Sequence, residues 1–579
     1  MSRRRPASRW LPPAAAPAGV ADALAQALQP TAEQPGKQAV PLAICQLLAA
    51  RGLHEVDLAK RFLRPTLDQV ESPEQMIDLP RAADRLALAV QRGEAILVHG
   101  DYDVDGICST TLMTKVLRGL GGSVTPFIPD RIADGYDLGP AGVAAAKAIS
   151  AKVVLTCDCG TSALEPAAAL RAAGIDLIVT DHHLPGGALP DAFAVVNPKR
   201  ADCPSLDKDL AAVGVAYKLA RAVVSRCGGD PAAVDGLLDL VALATIADVA
   251  PLRGENRVFA RLGLQQLASS AHPGIRSLLR AARLDGKPLT AGRIGFTLAP
   301  RLNALGRIGK AIRGVELLLT EDEASANIIA RECEELNAER QELNRQMLDE
   351  ALRRVDALDL DATWGIVVAQ EGWHPGVIGI VASRLVESTS RPVMMVAVQD
   401  GVGKGSGRSI PALDLHGVLH DCADLLARFG GHRAAAGITI DAARLPAFTE
   451  RFNDQVRARL TAEDLVPTLR TDLELPIDMI DETLERGLKH LEPFGMGNPG
   501  PIFVSRGVRV AQGPRRIGTD GVKMAFASSN GTLEGILWDG ARATGLTVGS
   551  VVDLAYKLEA NEYQGRRTLQ AVIQDLRHG

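Results

Sequence analysis

Residues 95–106 read AILVHGDYDVDG, an apolar run that ends in a closely spaced set of carboxylates. The same grammar returns at 152–160 (KVVLTCDCG) and at 176–183 (DLIVTDHH). Each run is too short for a helix and ends on an aspartate. Ala- and Leu-rich stretches with helical spacing separate the runs. Strand, helix, strand in alternation predicts parallel strands joined by crossover helices, an α/β fold with an open sheet. Neighbouring strands of such a sheet end along one edge, where ligands bind. The pattern therefore aims Asp and His side chains from three separate strands at one crevice.

The acids after the first run, Asp101, Asp103 and Asp105, also match the opening of a calcium EF-hand loop. That reading fails twice. The twelfth loop position is Leu112 instead of an acid, and a β-run precedes the loop instead of a helix. Asp158 follows the second run and Asp181-His182-His183 the third. Asp248 follows the apolar helix LLDLVALATIA (237–247) and can close the cluster. A lone Asp after a strand can equally be a helix cap. Several gathered together repel one another and lose hydration unless cations neutralise them. Carboxylates mixed with imidazole suit manganese or magnesium and not a sulfur-rich structural zinc site. Two divalent cations about 4 Å apart can support in-line displacement at phosphorus, so the expected chemistry is phosphoryl hydrolysis.

At 579 residues the chain needs several cores. Its net charge of -5 excludes a molecule that binds any polyanion through bulk charge, so nucleic-acid contacts must be local. The eight cysteines form no CxxC pair, so a zinc ribbon or thioredoxin motif has no support. Reduced thiols, an N-terminus without an apolar signal core and the lack of a membrane-length run predict a cytoplasmic protein.

Residues 1–20 read as a disordered tail and 21–90 as a helical segment. Residues 320–357, which contain neither Gly nor Pro, predict one long helix, either a linker between domains or a coiled-coil seam. WGIVVAQ (364–370) and RPVMMVAV (391–398) flank the helix VIGIVASRLVE, a second and smaller α/β unit. From about 462 onward short strands and turns, with a hairpin signal at Asn530-Gly531, predict a small β-barrel.

The motifs resemble the DHH phosphoesterase superfamily. Asp181-His182-His183 is its signature, and HGDYDVDG, TCDCGTS and TIADVAPL with Asn256-Arg257 follow the family's motifs in order. PRLNALGR (300–307), GSGRS (405–409) and FGGHRAAAG (429–437) continue the resemblance, the last two marking the family's associated domain. Order and spacing from about residue 40 to the end are similar to the superfamily's single-stranded-DNA exonucleases. The resemblance implies a parallel-sheet DHH catalytic domain over 91–319 and a long connecting helix over 320–357. It further implies a smaller α/β DHH-associated domain over 358–455 and an OB-like β-barrel over 462–579.

It also implies that Asp103, Asp105, Asp158, His182 and Asp248 hold the metals, with Asp158 the bridge and His99 at the position of a further histidine ligand. Asp101 is expected to orient or supplement that shell, and His183 to contact the scissile phosphate. The chain departs from the family pattern at Asp130 and Asp137, where Asn and Gly are expected.

Three stretches are candidates for holding nucleic acid. Arg301, Asn303 and Arg307 sit on a basic turn and can reach the crevice or serve as surface ion-pair residues. Ser406 and Arg408 on a Gly-rich turn, and Gly431 and His432 on a second, can cradle phosphate, unless the glycines only permit tight turns. Trp373 can stack on a base or pack in a core. The barrel carries Arg506, Arg509, Arg515, Arg516, Lys523, Arg566 and Arg567 among Phe503, Phe526, Trp538 and Tyr563. Basic tracks with aromatic platforms suit single strands.

The function implied is a metal-dependent (Mn2+ or Mg2+) exonuclease that degrades single-stranded DNA in the 5′-to-3′ direction during repair and recombination. It would work as a monomer, away from membranes, with a single-strand-binding protein and a helicase as candidate partners. The competing readings are a short-oligonucleotide or cyclic-dinucleotide phosphodiesterase of the same superfamily and a catalytically silent scaffold.

Overall fold

The computed structural model describes residues 8–29, 40–131, 133–529, 531–563 and 566–578. The chain divides into two units. The first comprises 55–337 with 487–500, and the second comprises 1–54, 338–486 and 501–579.

In the first unit the quoted apolar runs are strands: β1 (Ala95–Gly100), β2 (Ser123–Phe127), β3 (Val153–Cys157), β4 (Asp176–Thr180) and β5 (Ala194–Val196). They form one parallel sheet in the order β2-β1-β3-β4-β5. The helices between and after them are α1 (Val104–Gly119), α2 (Pro140–Ala148), α3 (Leu164–Ala172), α4 (Ala212–Arg226) and α5 (Leu238–Ala247). Side chains alternate across a strand, so each strand feeds two cores. Ile96, Val98, Val153, Leu155 and Ile178 pack with α1, α4 and α5. Leu97, Val154, Leu177 and Val179 pack with α2 and α3. Burial on both faces explains why the runs are continuously apolar. The order reverses between β1 and β3, which opens a crevice beyond their carboxyl ends.

One contact ties the sequence motif to this edge. A Cβ on Gly106, inside α1, would lie 2.4 Å from the Asp101 carbonyl oxygen. Backbone cannot yield as a flexible side chain does, so Gly106→Ala is expected to cost about 1–3 kcal/mol. Thermal melting checks it.

The helix Glu323–Asp356 runs for 34 residues, as expected, and the boundary between the units falls within it. Most of its apolar positions are spent inside the chain, although Ile328 is exposed. Ala326, Ile329, Ala330 and Cys333 join the first unit's core, while Met347, Ala351 and Val355 join one in the second unit. That favours the linker reading over a coiled-coil seam.

In the second unit Ile366–Glu371 and Val393–Gln399 pair in parallel around the helix Ile378–Thr389. Strands Val402–Arg408, Ala435–Asp441 and Arg428–Gly431 extend the sheet. The C-terminal strands close into a barrel through pairing of Phe503–Ile517 with Val551–Tyr563.

Several expectations are corrected. Of the tail foreseen as disordered over 1–20, residues 1–7 lie outside the described residues, but Arg9–Leu11 is a strand paired with Thr468–Arg470. Trp10 anchors it: the indole N–H donates to Asp575 at 2.8 Å, and Arg577 lies over the ring. A single anchoring Trp in a Pro/Ala-rich stretch leaves no periodicity to read. The helical stretch 21–90 is split between the units.

GKGSGR is a strand and not a turn. Its glycines exist because a Cβ on Gly405 would lie 2.5 Å from Ile438 and one on Gly407 2.6 Å from Met394. Ladder bonds consume its backbone N–H groups. Arg301, Asn303 and Arg307 lie on the helix Ala299–Ile308 instead of a turn. Phe503 and Phe526 are fully buried in the barrel core and cannot stack on bases, whereas Trp538 is 63% exposed. The side chains of Tyr563 and Arg566, and all of Asn530, lie outside the described residues. Trp373 is packed, with its indole N–H donating to Glu350 at 3.0 Å.

Candidate metal centre

Strand register decides the site. Gly100 pairs with Cys157, Cys157 with Thr180, and Thr180 with Val196. The next residues, Asp101, Asp158, Asp181 and Asn197, therefore stand in a row along the carboxyl edge. The ladder continues through their backbones, with Asp158 N–H donating to the Thr180 carbonyl at 3.0 Å and Asp181 N–H to that of Val196 at 3.1 Å.

Each acid is aimed by a local device. Asp103 caps α1, one oxygen accepting from the N–H groups of Asp105 and Gly106 at 2.9 and 3.2 Å. The Asp105 carboxylate accepts from Ala212 and Val213 N–H at 2.8 and 2.9 Å, on the first turn of α4. That helix terminus favours negative charge. Asp158 occupies the left-handed region at φ 65°, uncommon for a residue with a side chain. Asp248 ends α5, and Val249 behind it has φ 60°, a costly conformation for a β-branched residue.

His182 Nδ1 lies 3.2 Å from the Leu210 carbonyl, which fixes Nε2 as the lone-pair nitrogen. Nε2 then faces Asp158 at 3.2 Å and Asp248 at 3.8 Å. Asp181 stands apart from the ligands because its oxygens are used. It accepts from the His182, His183 and Thr161 backbone N–H groups, and from His183 Nδ1 at 2.8 Å.

The electrostatics are those of an uncompensated acid cluster. Burial first, then neighbouring carboxylates, pushes Asp101, Asp158 and Asp248 well above the usual range and Asp105 up to about 7. Burial drives His182 down to about 3. Burial would also lower His183, but the Asp181 hydrogen bond and charge overcome it and raise His183 to about 9.

The donor set fits divalent cations. Among the described residues, three groups bring one ligand atom each within 4.8 Å of one another: Asp158–His182–His183, Asp105–His182–Asp248 and Asp101–Asp103–Asp158. Asp158 is common to two groups, and a carboxylate can bridge two ions; His182, with Nε2 as its one lone-pair nitrogen, can serve one of them. Buried oxygens of Asp101 and Asp158 have no hydrogen-bond partner. A lone pair on His182 pointing at a carboxylate oxygen is repulsive unless a cation lies between them.

Other expected residues fall elsewhere. His99 joins none of the three groups. It is buried on β1, its Nδ1 3.5 Å from the Cys159 thiol, and burial lowers it to about 4. Asn303 accepts from Val104 N–H at 3.2 Å, a contact that steadies the first acidic turn. Arg301 pairs with Glu334, and burial raises the Tyr102 hydroxyl, an effect the nearby Arg307 charge partly offsets. In the second unit, Arg408 donates to Ser406 at 3.1 Å, beside Gly379 at the start of the helix Ile378–Thr389. Gly431 ends a strand at φ 137°, and exposed His432 follows it at the hairpin tip.

Sequence reasoning missed the groups that orient the ligands: the Leu210 carbonyl, the α4 N–H groups, Asn197, and Tyr136, whose hydroxyl approaches His183. Asn197 could have been found as the polar residue after a fourth short apolar run. A backbone carbonyl has no signature in sequence.

Comparison with known proteins finds the same succession of domains. Residues 95–245 match the DHH family N-terminal domain, 363–458 the DHHA1 domain and 471–575 the RecJ OB domain. The single-stranded-DNA-specific exonuclease RecJ of Escherichia coli K12 is 36% identical over 570 residues, covering 94% of this chain and 97% of that protein. RecJ of Bacillus subtilis is 37% identical over 537 residues, covering 92% and 67%. The crystal structure of Thermus thermophilus RecJ in complex with Mn2+ superposes with a TM-score of 0.84 at 34% identity, covering 99% of this chain and 80% of that one. The Mg2+ complex gives 0.79 at 32% identity, covering 99% and 78%.

Proposed function

Because this chain belongs to the RecJ family of single-stranded-DNA-specific exonucleases, we propose that it removes nucleotides from single-stranded DNA starting at the 5′ end. The observation that carries the hydrolytic reading is the pair of buried carboxylates at the β1/β3 edge, Asp101 and Asp158, each with one oxygen that has no hydrogen-bond partner. The match to the RecJ OB domain and the nearly full-length coverage favour a long single strand over a short oligonucleotide or cyclic dinucleotide. A silent scaffold would have no need to keep the acids together.

Asp103, Asp105, Asp158, His182 and Asp248 would hold Mn2+ or Mg2+, with Asp101 supporting them. When bound, the cations supply charge stabilisation at phosphorus and a water acidic enough to attack near neutral pH. The residues do the rest. Asp181 keeps His183 protonated near neutral pH and oriented, so that it can donate to a phosphate oxygen. The α4 terminus and the Leu210 carbonyl hold Asp105 and His182 in place, so little reorganisation is left to the reaction. Ser406 and Arg408, with Gly431 and His432, would bind phosphates of the strand. Arg301, Asn303 and Arg307 are further candidates. The barrel's exposed Arg515, Arg516 and Trp538 would grip it. The same reading has the chain work as a cytoplasmic monomer beside a single-strand-binding protein and a helicase. Its cysteines are all unpaired, and no helix among the described residues is long and apolar enough to cross a membrane.

Oligonucleotides labelled at either end, single-stranded and duplex, test this with Mn2+, Mg2+ or chelator. Release of label first from 5′ ends of single strands, only with metal, is expected. First release from 3′ ends would remove the polarity, and equal attack on duplex the strand preference.

A further inference from the structure

The loop between β2 and α2 carries a contact that the metal chemistry does not explain. Tyr136 is 48% exposed, yet its hydroxyl lies 3.2 Å from His183 Nε2 and 3.3 Å from Nδ1. Asp181 engages Nδ1 in the ring plane, whereas a hydroxyl nearly equidistant from both nitrogens lies over the ring face, which leaves the Nε2–H direction open toward the phosphate. The two rings meet edge to face, centroids 5.9 Å apart, and Tyr102 meets Tyr136 in the same way at 6.1 Å. Arg131, at the loop's other end, lies 4.7 Å above Tyr102.

The backbone on both sides of Tyr136 is left-handed, with φ 87° at Gly135 and 76° at Asp137. An aspartate there is strained, and the structure shows what compensates. Its Oδ1 accepts from its neighbour Leu138 N–H at 2.8 Å and from Gly160 N–H at 2.6 Å. Gly160 belongs to the turn that begins with Asp158. The loop is thereby pegged to the same turn that aims the shared carboxylate. This is one of the positions where the sequence departs from the family pattern.

We propose that Tyr136 is a positioning residue for His183 and that Asp137 is the peg that keeps it there. The proposal rests on the hydrolase reading above, in which His183 meets the scissile phosphate. Asp181 fixes the edge of the imidazole and Tyr136 its face, so the ring cannot swing about its Cβ–Cγ bond before substrate arrives. Because the device acts on the reacting geometry, its loss falls on kcat and leaves KM almost unchanged.

The test measures kcat, KM and Tm on single-stranded oligonucleotides for Tyr136→Phe, Asp137→Ala, Asp137→Asn and the Tyr136→Phe/Asp137→Ala double variant. Tyr136→Phe is expected to lower kcat by about tenfold, the worth of one hydrogen bond, with KM within about twofold. Asp137→Ala should match it, and the double variant should be no worse than the poorer single, since both act through one contact. Asp137→Asn keeps the accepting oxygen and should recover most of the loss. A wild-type kcat for Tyr136→Phe, or losses that multiply in the double variant, would overturn the proposal. Should Asp137→Ala fail to fold, Tyr136→Phe and Asp137→Asn decide between them. Wild-type protein inactive on single strands would instead defeat the function, and the imidazole NMR signals of His183 then decide the positioning role separately. Those signals are expected to shift in Tyr136→Phe, and unchanged signals overturn the role whatever the activity.

Discussion

Asp158→Asn is expected to cut hydrolysis of single-stranded DNA at least about a thousandfold while the protein stays folded. Asp158 is shared by two of the three candidate ligand groups, and its backbone is held in the left-handed region. Its Oδ1 is buried without a hydrogen-bond partner, so the folded chain gains nothing from the charge unless a cation is present. In chelator the variant should melt as high as the wild type or a few degrees higher, because one member of a repelling cluster has gone. Adding Mn2+ should raise its Tm less than that of the wild type. Steady-state rates and melting curves with and without metal measure both effects. Near wild-type digestion by the variant would show that the cluster is not the site.

Chelation should abolish activity and, as pH rises, destabilise the first unit. Asp105 rises to about 7 in the fold from an ordinary 3.8, and His183 to about 9 from 6.5. A raised folded pKa means the native state holds its proton more tightly than the unfolded chain. The stability this gives is complete below the unfolded value and disappears as pH climbs through the folded one. His99 and His182, at about 4 and about 3, act oppositely, but only below about pH 6.5, where the unfolded chain takes up their protons. Between pH 6.5 and 9 the acid cluster and His183 therefore dominate. The metal-free protein should lose on the order of 2 kcal/mol across that window, a Tm fall of roughly 4–8 °C. Saturating Mn2+ should flatten the curve. A melting temperature in chelator that is level or rising from pH 6.5 to 9 would contradict the electrostatics described.

Much of the site could be read from the chain because its information is local. An apolar run followed by Asp is visible at 95–101, 153–158 and 176–181, and alternating strands and helices commit such runs to one parallel sheet. That was enough to predict that Asp101, Asp158 and the 181–183 triplet share an edge, and the register Gly100–Cys157–Thr180 bears it out. The glycine-rich segment 403–408 misled because glycine signals two opposite things. A turn needs its backbone freedom, whereas a packed strand needs its missing Cβ, and only the neighbours Ile438 and Met394 distinguish them. Phe503 and Phe526 misled in the same way, since an aromatic residue in a strand suits a core as well as a base platform.

The order of residue types along the chain by itself determined the sheet, the long helix and the meeting of acids, because strand and helix periods are written into neighbouring positions. Tertiary structure alone decided which atoms of those acids remain unpaired, that His99 joins none of the ligand groups, and that Tyr136 reaches His183. These outcomes depend on backbone donors and acceptors such as Leu210, Ala212 and Gly160. Every residue carries those groups, so no side-chain identity announces where they will be used.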